Sequence, residues 1–229
     1  MALFTEENII SLLYSYNPWW RTGVVQKEFD KKMKRIAYYE ANKIFNNSNI
    51  RRTVLLSGAR RTGKTTIMYQ TISKLMNDGV SPKNILFISF DHPLLKMCSI
   101  DDVLNVYRKN ISSEEKIYCF FDEIQYSEDW NSWLKILYDT NPHINIMATG
   151  SASPILEDKA KESGLGRWMT VQVPTLSFFE YCKLLEIEEI DLPKNIKPTQ
   201  LYLLSVQEQN DIMNKIVEKY CYMSLNMSP

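Results

Sequence analysis

The feature that most constrains this chain is the segment LLSGARRTGKTT, residues 55–66. It fits the spacing G-x-x-x-x-G-K-[ST], with the fixed positions at Gly58, Gly63, Lys64 and Thr65. Glycines allow the backbone to curl so that successive N–H groups point at phosphate oxygens in front of the following helix. An apolar strand precedes the segment and an amphipathic helix follows it, which is the context such a loop requires. The segment therefore predicts a phosphate-binding loop.

The loop predicts the nucleotide contacts residue by residue. We expect Lys64 to reach the β- and γ-phosphates and the Thr65 hydroxyl to ligate Mg²⁺. Arg60 and Arg61 are open to two interpretations, contact with nucleotide or contact with a neighbouring subunit. The expected nucleotide-binding residues are Gly58, Ala59, Arg60, Arg61, Thr62, Gly63, Lys64, Thr65 and Thr66.

Strands and helices alternate after this loop. The strands are predicted at 53–56, 84–90, 117–121 and 144–149, and the helices at 64–77, 101–109 and 129–138. Continuous apolar strands between helices indicate a parallel sheet of about five strands with helices on both faces, the α/β fold of P-loop NTPases.

The two ends of the chain have helical patterns. Residues 6–16 and 28–45 form a predicted helical lead-in, and an amphipathic helix is predicted at 212–221. We expect three regions: a lead-in over 1–48, a P-loop core over 49–182 and a helical tail over 183–229.

The stretch CFFDEIQ, residues 119–125, sets two acids directly after an apolar strand. A charged pair at the end of a buried strand is costly unless something neutralises or uses it. Beside a phosphate loop, Asp122 is the expected Mg²⁺ acid and Glu123 the expected general base for an attacking water. The competing interpretation is a pair of solvated strand-end charges.

Three further features have two interpretations each. Thr149 and Ser151, at the end of the strand INIMATGS, either orient water and sense phosphate or serve as turn and N-cap residues. The pair Trp19 and Trp20 either stacks on adenine or packs the lead-in against the core. The basic run over residues 31–35 is interpreted as a solvated helix face rather than a nucleic-acid contact.

Composition excludes several classes of function. Lys plus Arg equals Asp plus Glu at 27 each, so no global charge drives the chain to nucleic acid or to an anionic membrane. The start MALFTEENII lacks the basic region of a signal peptide and no apolar stretch is long enough to span a membrane, which predicts a cytoplasmic protein. With 2 histidines and scattered cysteines, we expect no zinc site and no disulfide.

The motifs together resemble a known family. LLSGARRTGKTT, FFDEIQ followed by WNSWLKILYD, IMATGSAS and GLGRWMTVQVPTLSFFEY are similar to the bacterial and archaeal AAA-type ATPases, over about residues 50–182. Members of that family usually carry an additional C-terminal domain of unclear function. The resemblance implies that this domain is absent here or cut short, with the tail over 183–229 as its start. The resemblance implies that Gly166 and Arg167 form a candidate arginine finger for a neighbouring subunit. The alternative for Arg167 is a salt bridge at the start of a strand.

The expected function is Mg²⁺-dependent ATP hydrolysis that drives a conformational switch on an unidentified protein or nucleic-acid partner, with a homo-oligomer as the assembly that a finger implies. ATP is favoured over GTP because the guanine-reading motif N/T-K-x-D is absent from the sequence. The expected catalytic residues are Glu123, Lys64, Arg167, Thr149 and Ser151. Two alternatives remain open: a small-molecule or nucleoside kinase, and a non-hydrolysing, nucleotide-gated module in signalling or nucleic-acid binding.

Overall fold

The structure is a computed structural model that describes residues 5–47, 49–151 and 166–177, together with isolated positions at 180, 183, 184, 205, 207, 208, 210, 211 and 214. The chain divides into two compact units, Met1–Thr175 and Leu176–Pro229. All helices and strands given below lie in the first unit. The residues on which the final helix was predicted lie outside the described part. The predicted boundaries at 48 and 182 remain predictions.

The described residues of the first unit form six α-helices and five β-strands. The helices are α1 Glu6–Tyr16, α2 Trp19–Thr22, α3 Ile36–Phe45, α4 Lys64–Asn77, α5 Ile100–Asn110 and α6 Trp130–Thr140. The strands are β1 Thr53–Gly58, β2 Ile85–Ser89, β3 Ile117–Asp122, β4 Ile144–Ser151 and β5 Trp168–Gln172. Short 3₁₀ turns occupy Pro82–Asn84, Leu95–Met97 and Ile124–Tyr126.

The strands form one sheet in the order β2-β3-β4-β1-β5, and every neighbouring pair is parallel. Every residue of β1, β2 and β3 is buried, so both faces of the sheet are covered. The edge strand β5 is instead partly exposed, with Trp168 and Val171 buried and Met169 and Thr170 exposed. The predicted α/β sheet of about five parallel strands is thereby confirmed.

The hydrophobic stripe of α6 packs as its spacing predicts. Trp130, Leu134 and Leu137 are buried, and Trp133 packs partly buried against the same core. The interpretation of these tryptophans as packing residues is confirmed. Helix α4 begins and ends at the predicted residues.

The lead-in differs from its prediction. Residues 28–35 are not helical, and α3 begins only at Ile36. Side chains of α4 hold this segment in another conformation: Gln70 Nε2 donates to the carbonyls of Lys31 at 2.6 Å and Met33 at 2.8 Å. These carbonyls bond to a buried side chain and not to the next helical turn, which explains why a periodic apolar pattern fails to form a helix here.

The NPWW segment covers the open edge of β2. The Asn17 amide pairs with Phe87 like a peptide group, since Nδ2 donates to the Phe87 carbonyl at 2.8 Å and Oδ1 accepts from the Phe87 N–H at 2.6 Å. The indole N–H groups of Trp19 and Trp20 donate to the Ile85 carbonyl at 3.3 and 2.8 Å. Both tryptophans are buried, so the packing interpretation is supported and the adenine-stacking interpretation is not. A protected edge prevents pairing with another chain.

None of the helices in the described part of the chain is long and apolar enough to cross a membrane.

Candidate functional site

The predicted site residues converge at the carboxyl edge of the sheet. Strand β4 lies between β1 and β3, with Leu56 opposite Thr149 and Phe121 opposite Ala148. Because parallel strands end at the same edge, the loop after β1 and the acids after β3 lie on either side of Thr149.

The phosphate loop curves tightly, as its glycines predicted. Glycine is needed at Gly63 for its backbone conformation and at Gly58 for lack of space. Gly63 has a left-handed φ of 89°, as does Arg61 with φ 64°. Gly58 is required for space: a Cβ there would lie 2.2 Å from the carbonyl oxygen of Val173. Inside the loop, Thr62 Oγ1 donates to the Ala59 carbonyl at 2.9 Å.

Lys64 lies inside the curve of the loop. Its ammonium group donates to the carbonyls of Gly58 at 2.9 Å and Ala59 at 2.8 Å, and the residue is 4% exposed. Burial lowers the pKa of Lys64, while the nearby Glu123 and Asp122 oppose that shift. A desolvated cation at this position is suited to a phosphate group.

Asp122 is the centre of a hydrogen-bond cluster. Its carboxylate accepts from Thr149 Oγ1 at 2.6 Å and from Thr65 Oγ1 at 3.1 Å to each oxygen. Ser89 Oγ lies 3.4 Å from Oδ2 and also donates to Asp91 at 2.9 Å. Burial raises the pKa of Asp122, and the bonds from Thr149 and Thr65 partly offset that shift.

Glu123 is held in an unusual backbone conformation beside this cluster. Its φ is 50°, which a non-glycine residue rarely adopts. Its N–H donates to Thr149 Oγ1 at 2.9 Å, and Gln125 Nε2 donates to its carboxylate. Thr149 thus contacts both acids, and it fixes Asp122 and Glu123 relative to each other.

Thr65 and Asp122 fit a magnesium ion. A hydroxyl oxygen and both carboxylate oxygens lie within 3.1 Å of each other, and hard oxygen ligands of this kind suit Mg²⁺, which keeps several waters or phosphate oxygens as its other ligands. Among the described residues, no group of three or more His, Cys, Asp or Glu side chains is placed to hold a metal.

The remaining predicted loop residues lie at the rim. Arg60 and Arg61 are exposed, and Arg60 Nη2 donates to the Tyr126 hydroxyl at 3.0 Å. Thr66 is half-buried on α4. Ser151 ends β4 opposite Gly58 in the register.

Arg167 does not join the other site residues. Its carbonyl accepts from the N–H of Thr53, the first residue of β1, whereas the loop follows the last residue of that strand. At about 3.3 Å per residue, the two ends of β1 are roughly 16 Å apart. The Arg167 guanidinium is bound to Asp139, with Nε to Oδ1 at 2.9 Å and Nη2 to Oδ2 at 3.0 Å. The salt bridge weighed in the sequence is present, and a finger role within the same chain is excluded by position.

One residue at the loop was misinterpreted in the sequence. Arg35 was assigned to a solvated helix face, but it is 7% exposed and its Nη1 donates to the Thr62 carbonyl at 2.5 Å. The lysines of the same run, Lys31, Lys32 and Lys34, are exposed as predicted. The residue type could have indicated that Arg35 is buried. It is the one arginine in the run, and a guanidinium is better suited to burial than an ammonium group.

The sequence matches a family described as AAA domain over residues 50–182, more than half of the chain. An uncharacterised protein of Methanocaldococcus jannaschii is 29% identical over 214 residues, which cover 87% of this chain and 44% of that protein. An uncharacterised protein of Haemophilus influenzae is 32% identical over 133 residues, covering 56% of this chain and 32% of the relative. The chain therefore spans less than half the length of these curated relatives.

Two solved structures are also similar. C. elegans PCH-2 has a TM-score of 0.45 at 14% identity, with 81% of this chain and 54% of that one covered. AMPPCP-bound DnaA from Aquifex aeolicus has a TM-score of 0.47 at 17% identity, with 88% and 64% covered.

Proposed function

The chain belongs to the AAA domain family, and from that premise we propose that it binds ATP with Mg²⁺ and hydrolyses the nucleotide to switch the conformation of a larger assembly. The observation that carries the proposal is the convergence of the loop hydroxyl of Thr65, the Asp122 carboxylate and the Thr149 hydroxyl within 3.1 Å, next to Glu123. A phosphate loop alone would serve binding only.

Each residue has a separate part in the reaction. The loop N–H groups and Lys64 hold the β- and γ-phosphates, and Thr65 with Asp122 would hold Mg²⁺, which neutralises charge on the phosphate oxygens. Water attacks the γ-phosphorus, the bond from that phosphorus to the bridging oxygen breaks, and Glu123 accepts the proton of the water. ADP and inorganic phosphate are the products.

Thr149 holds Asp122 and Glu123 in fixed positions relative to each other for this step. Its hydroxyl donates to Asp122 and accepts from the Glu123 backbone, so a shift of either acid disturbs the other. A general base must lie within hydrogen-bond reach of its water, and a fixed backbone provides that precision.

The wider role is proposed on more general grounds. We propose a cytoplasmic ATPase that uses hydrolysis to act on a protein or nucleic-acid partner, in a homo-oligomer if Arg167 acts between subunits. The curated relatives extend well beyond the residues that match this chain, so the partner is proposed and is not carried over from them.

A phosphate-release assay with Lys64→Ala tests the proposal. Wild-type protein should release phosphate from ATP only with Mg²⁺, and Lys64→Ala should lose ATP binding because the loop loses its buried ammonium. Lys74→Ala is the matched control, a half-exposed lysine of the same helix paired with Asp78, and it should behave as wild type.

The same assay separates the alternatives. Transfer of labelled phosphate to an added small alcohol or nucleoside would favour a kinase, and ATP binding without phosphate release, with or without DNA, would favour a non-hydrolysing module. Wild-type ATP affinity in Lys64→Ala would contradict the assignment of the loop.

A further inference from the structure

We propose that Arg35 is a positioning residue that holds the phosphate loop against residues 173–175 and thereby couples nucleotide binding to the segment by which the chain leaves its first unit. The proposal rests on the ATP binding proposed above. It assigns a role to a residue outside the phosphate loop and the acidic strand end, in a basic run that the sequence analysis interpreted as solvated.

The guanidinium of Arg35 connects three backbone carbonyls. Nη1 donates to Thr62 at 2.5 Å and to Pro174 at 2.9 Å, and Nη2 donates to Thr175 at 3.1 Å. In sequence, Thr62 is 27 residues from Arg35 and Pro174 is 139 residues away. Only the planar fork of an arginine presents several donors in this fixed arrangement, and a lysine ammonium does not.

The bond to Thr62 has a direct consequence for the phosphate cradle. In a trans peptide the carbonyl and the following N–H point in opposite directions. With the Thr62 carbonyl held by Arg35, the N–H of Gly63 is directed away from Arg35. Peptide N–H groups are the phosphate ligands of such a loop, so fixing this peptide plane prepares one of them for binding.

The first glycine of the loop touches the same exit segment. Val173 N–H donates to the Ser57 carbonyl at 2.7 Å, and a Cβ on Gly58 would lie 2.2 Å from the Val173 carbonyl oxygen. Residues 173–175 therefore contact the loop at its start directly and at Thr62 through Arg35. A change in loop conformation would break or move these contacts.

Arg35 itself is anchored by the helix that follows the loop. Gln70 holds the carbonyls of Lys31 and Met33, and Ser73 Oγ donates to Asp30 Oδ2 at 2.7 Å. Both anchoring side chains belong to α4, whose first residue is Lys64. The backbone that leads into Arg35 is therefore held by the same helix that begins with Lys64.

The first test compares MgATP dissociation constants of Arg35→Lys, Arg35→Met and Lys34→Met. Lys34 is the matched control, since it is the adjacent residue, is exposed and carries the same charge. Loss of hydrogen bonds to a charged group weakens binding by about 10-fold or more. We expect that loss in both Arg35 variants, with the retained charge of Arg35→Lys giving no rescue, and no change in Lys34→Met.

The second test uses hydrogen exchange on the wild-type protein. A non-hydrolysable ATP analogue should slow amide exchange in the peptide covering 173–177 as well as in the loop. In Arg35→Lys saturated with the analogue, protection should remain in the loop and be reduced over 173–177. A residue that only stabilises the fold would not separate these two peptides.

The outcomes distinguish this proposal from the one on which it rests. Wild-type protein that does not bind ATP would contradict the proposed function. Wild-type protein that binds ATP and shows no change in exchange over 173–177 contradicts only the coupling. Equal ATP affinity in Arg35→Lys and wild type, or an equal loss in Lys34→Met, contradicts the positioning role of Arg35.

Discussion

At the scale of single residues, burial pushes the two central charges of the site towards neutrality. It lowers the pKa of Lys64 and raises that of Asp122, each as the largest influence on that group. Both residues sit where folding alone disfavours their charged forms. In the proposed function, phosphate and Mg²⁺ are the partners that would stabilise the charged forms of Lys64 and Asp122.

Asp122→Asn should make the metal-free protein more stable while abolishing hydrolysis. The folded pKa of Asp122 lies above its ordinary 3.8, so the native state binds this proton more tightly than the unfolded chain does. The stability that Asp122 contributes through this proton is fully present below the unfolded pKa of 3.8, and it is lost as the pH rises through the raised folded pKa. Asparagine removes this loss, so the melting temperature at pH 7 should rise, by about 2–4 °C for each kcal/mol recovered.

Melting curves of both proteins at pH 7 and at pH 4, with a chelator present, test whether Asp122→Asn raises the melting temperature. The advantage of Asp122→Asn should shrink at the lower pH. Asp129→Asn makes the same chemical change at an exposed residue, and as the control it should not raise the melting temperature at pH 7 as Asp122→Asn does. A variant less stable than wild type at pH 7 would mean that the bonds from Thr149 and Thr65 outweigh the desolvation.

Glu123→Gln should bind ATP normally and turn over slowly. The amide keeps the shape of the side chain but cannot accept the proton of the water, which lowers turnover by roughly 10²-fold or more. Phosphate release and ATP titration measure the two quantities, and Glu128→Gln, an exposed neighbour, is the control. Unchanged turnover in Glu123→Gln, with turnover abolished in Asp122→Asn, would make Glu123 structural.

At the scale of elements, the sequence predicts helices and strands that depend on adjacent residues, and it misses contacts between residues far apart in the chain. The strand, loop and helix over 53–77 follow from adjacent residues, and α4 has the predicted ends. Arg35 and Asn17 were not identified because their acceptors are backbone groups 139 and 70 residues away, and no pattern within a helix or strand records such a contact. The two acids at the end of β3 were predicted to act at the site because the phosphate loop upstream gave them a partner, and the structure places them beside that loop.

Asn17→Ala should destabilise the protein without changing its chemistry. Truncation leaves both the N–H and the carbonyl of Phe87 without their buried partner, and the loss is about 2–4 kcal/mol in total. Chemical denaturation measures this, and the ATP affinity of the folded fraction should stay unchanged. Asn105→Ala is the control, because its amide bonds Asp101 at an exposed site. Equal stabilities of the two variants would show that the NPWW segment does not protect the edge of β2.

At the scale of the whole molecule, the direction of the sheet decides what Arg167 can do. Every strand is parallel, so the loop and the acids share one edge while Arg167 lies at the other, bound to Asp139. A finger supplied by this residue must therefore act on the nucleotide of a second subunit. The neutral overall balance, 27 basic against 27 acidic residues, leaves such an assembly free of strong self-repulsion.

Arg167→Ala should lower hydrolysis by about 10³-fold or more without weakening ATP binding, because a finger contributes only in the transition state. Mixing it with Lys64→Ala should partly restore turnover, since each subunit supplies what the other lacks. Asp139→Asn is the matched variant: it breaks the same ion pair but keeps the guanidinium, so it should retain turnover if Arg167 is a finger. Equal loss in Arg167→Ala and Asp139→Asn would make the salt bridge itself the important feature. Normal turnover in Arg167→Ala, at a specific activity independent of protein concentration, would contradict both the finger and the oligomer, because a finger in trans requires subunits that meet.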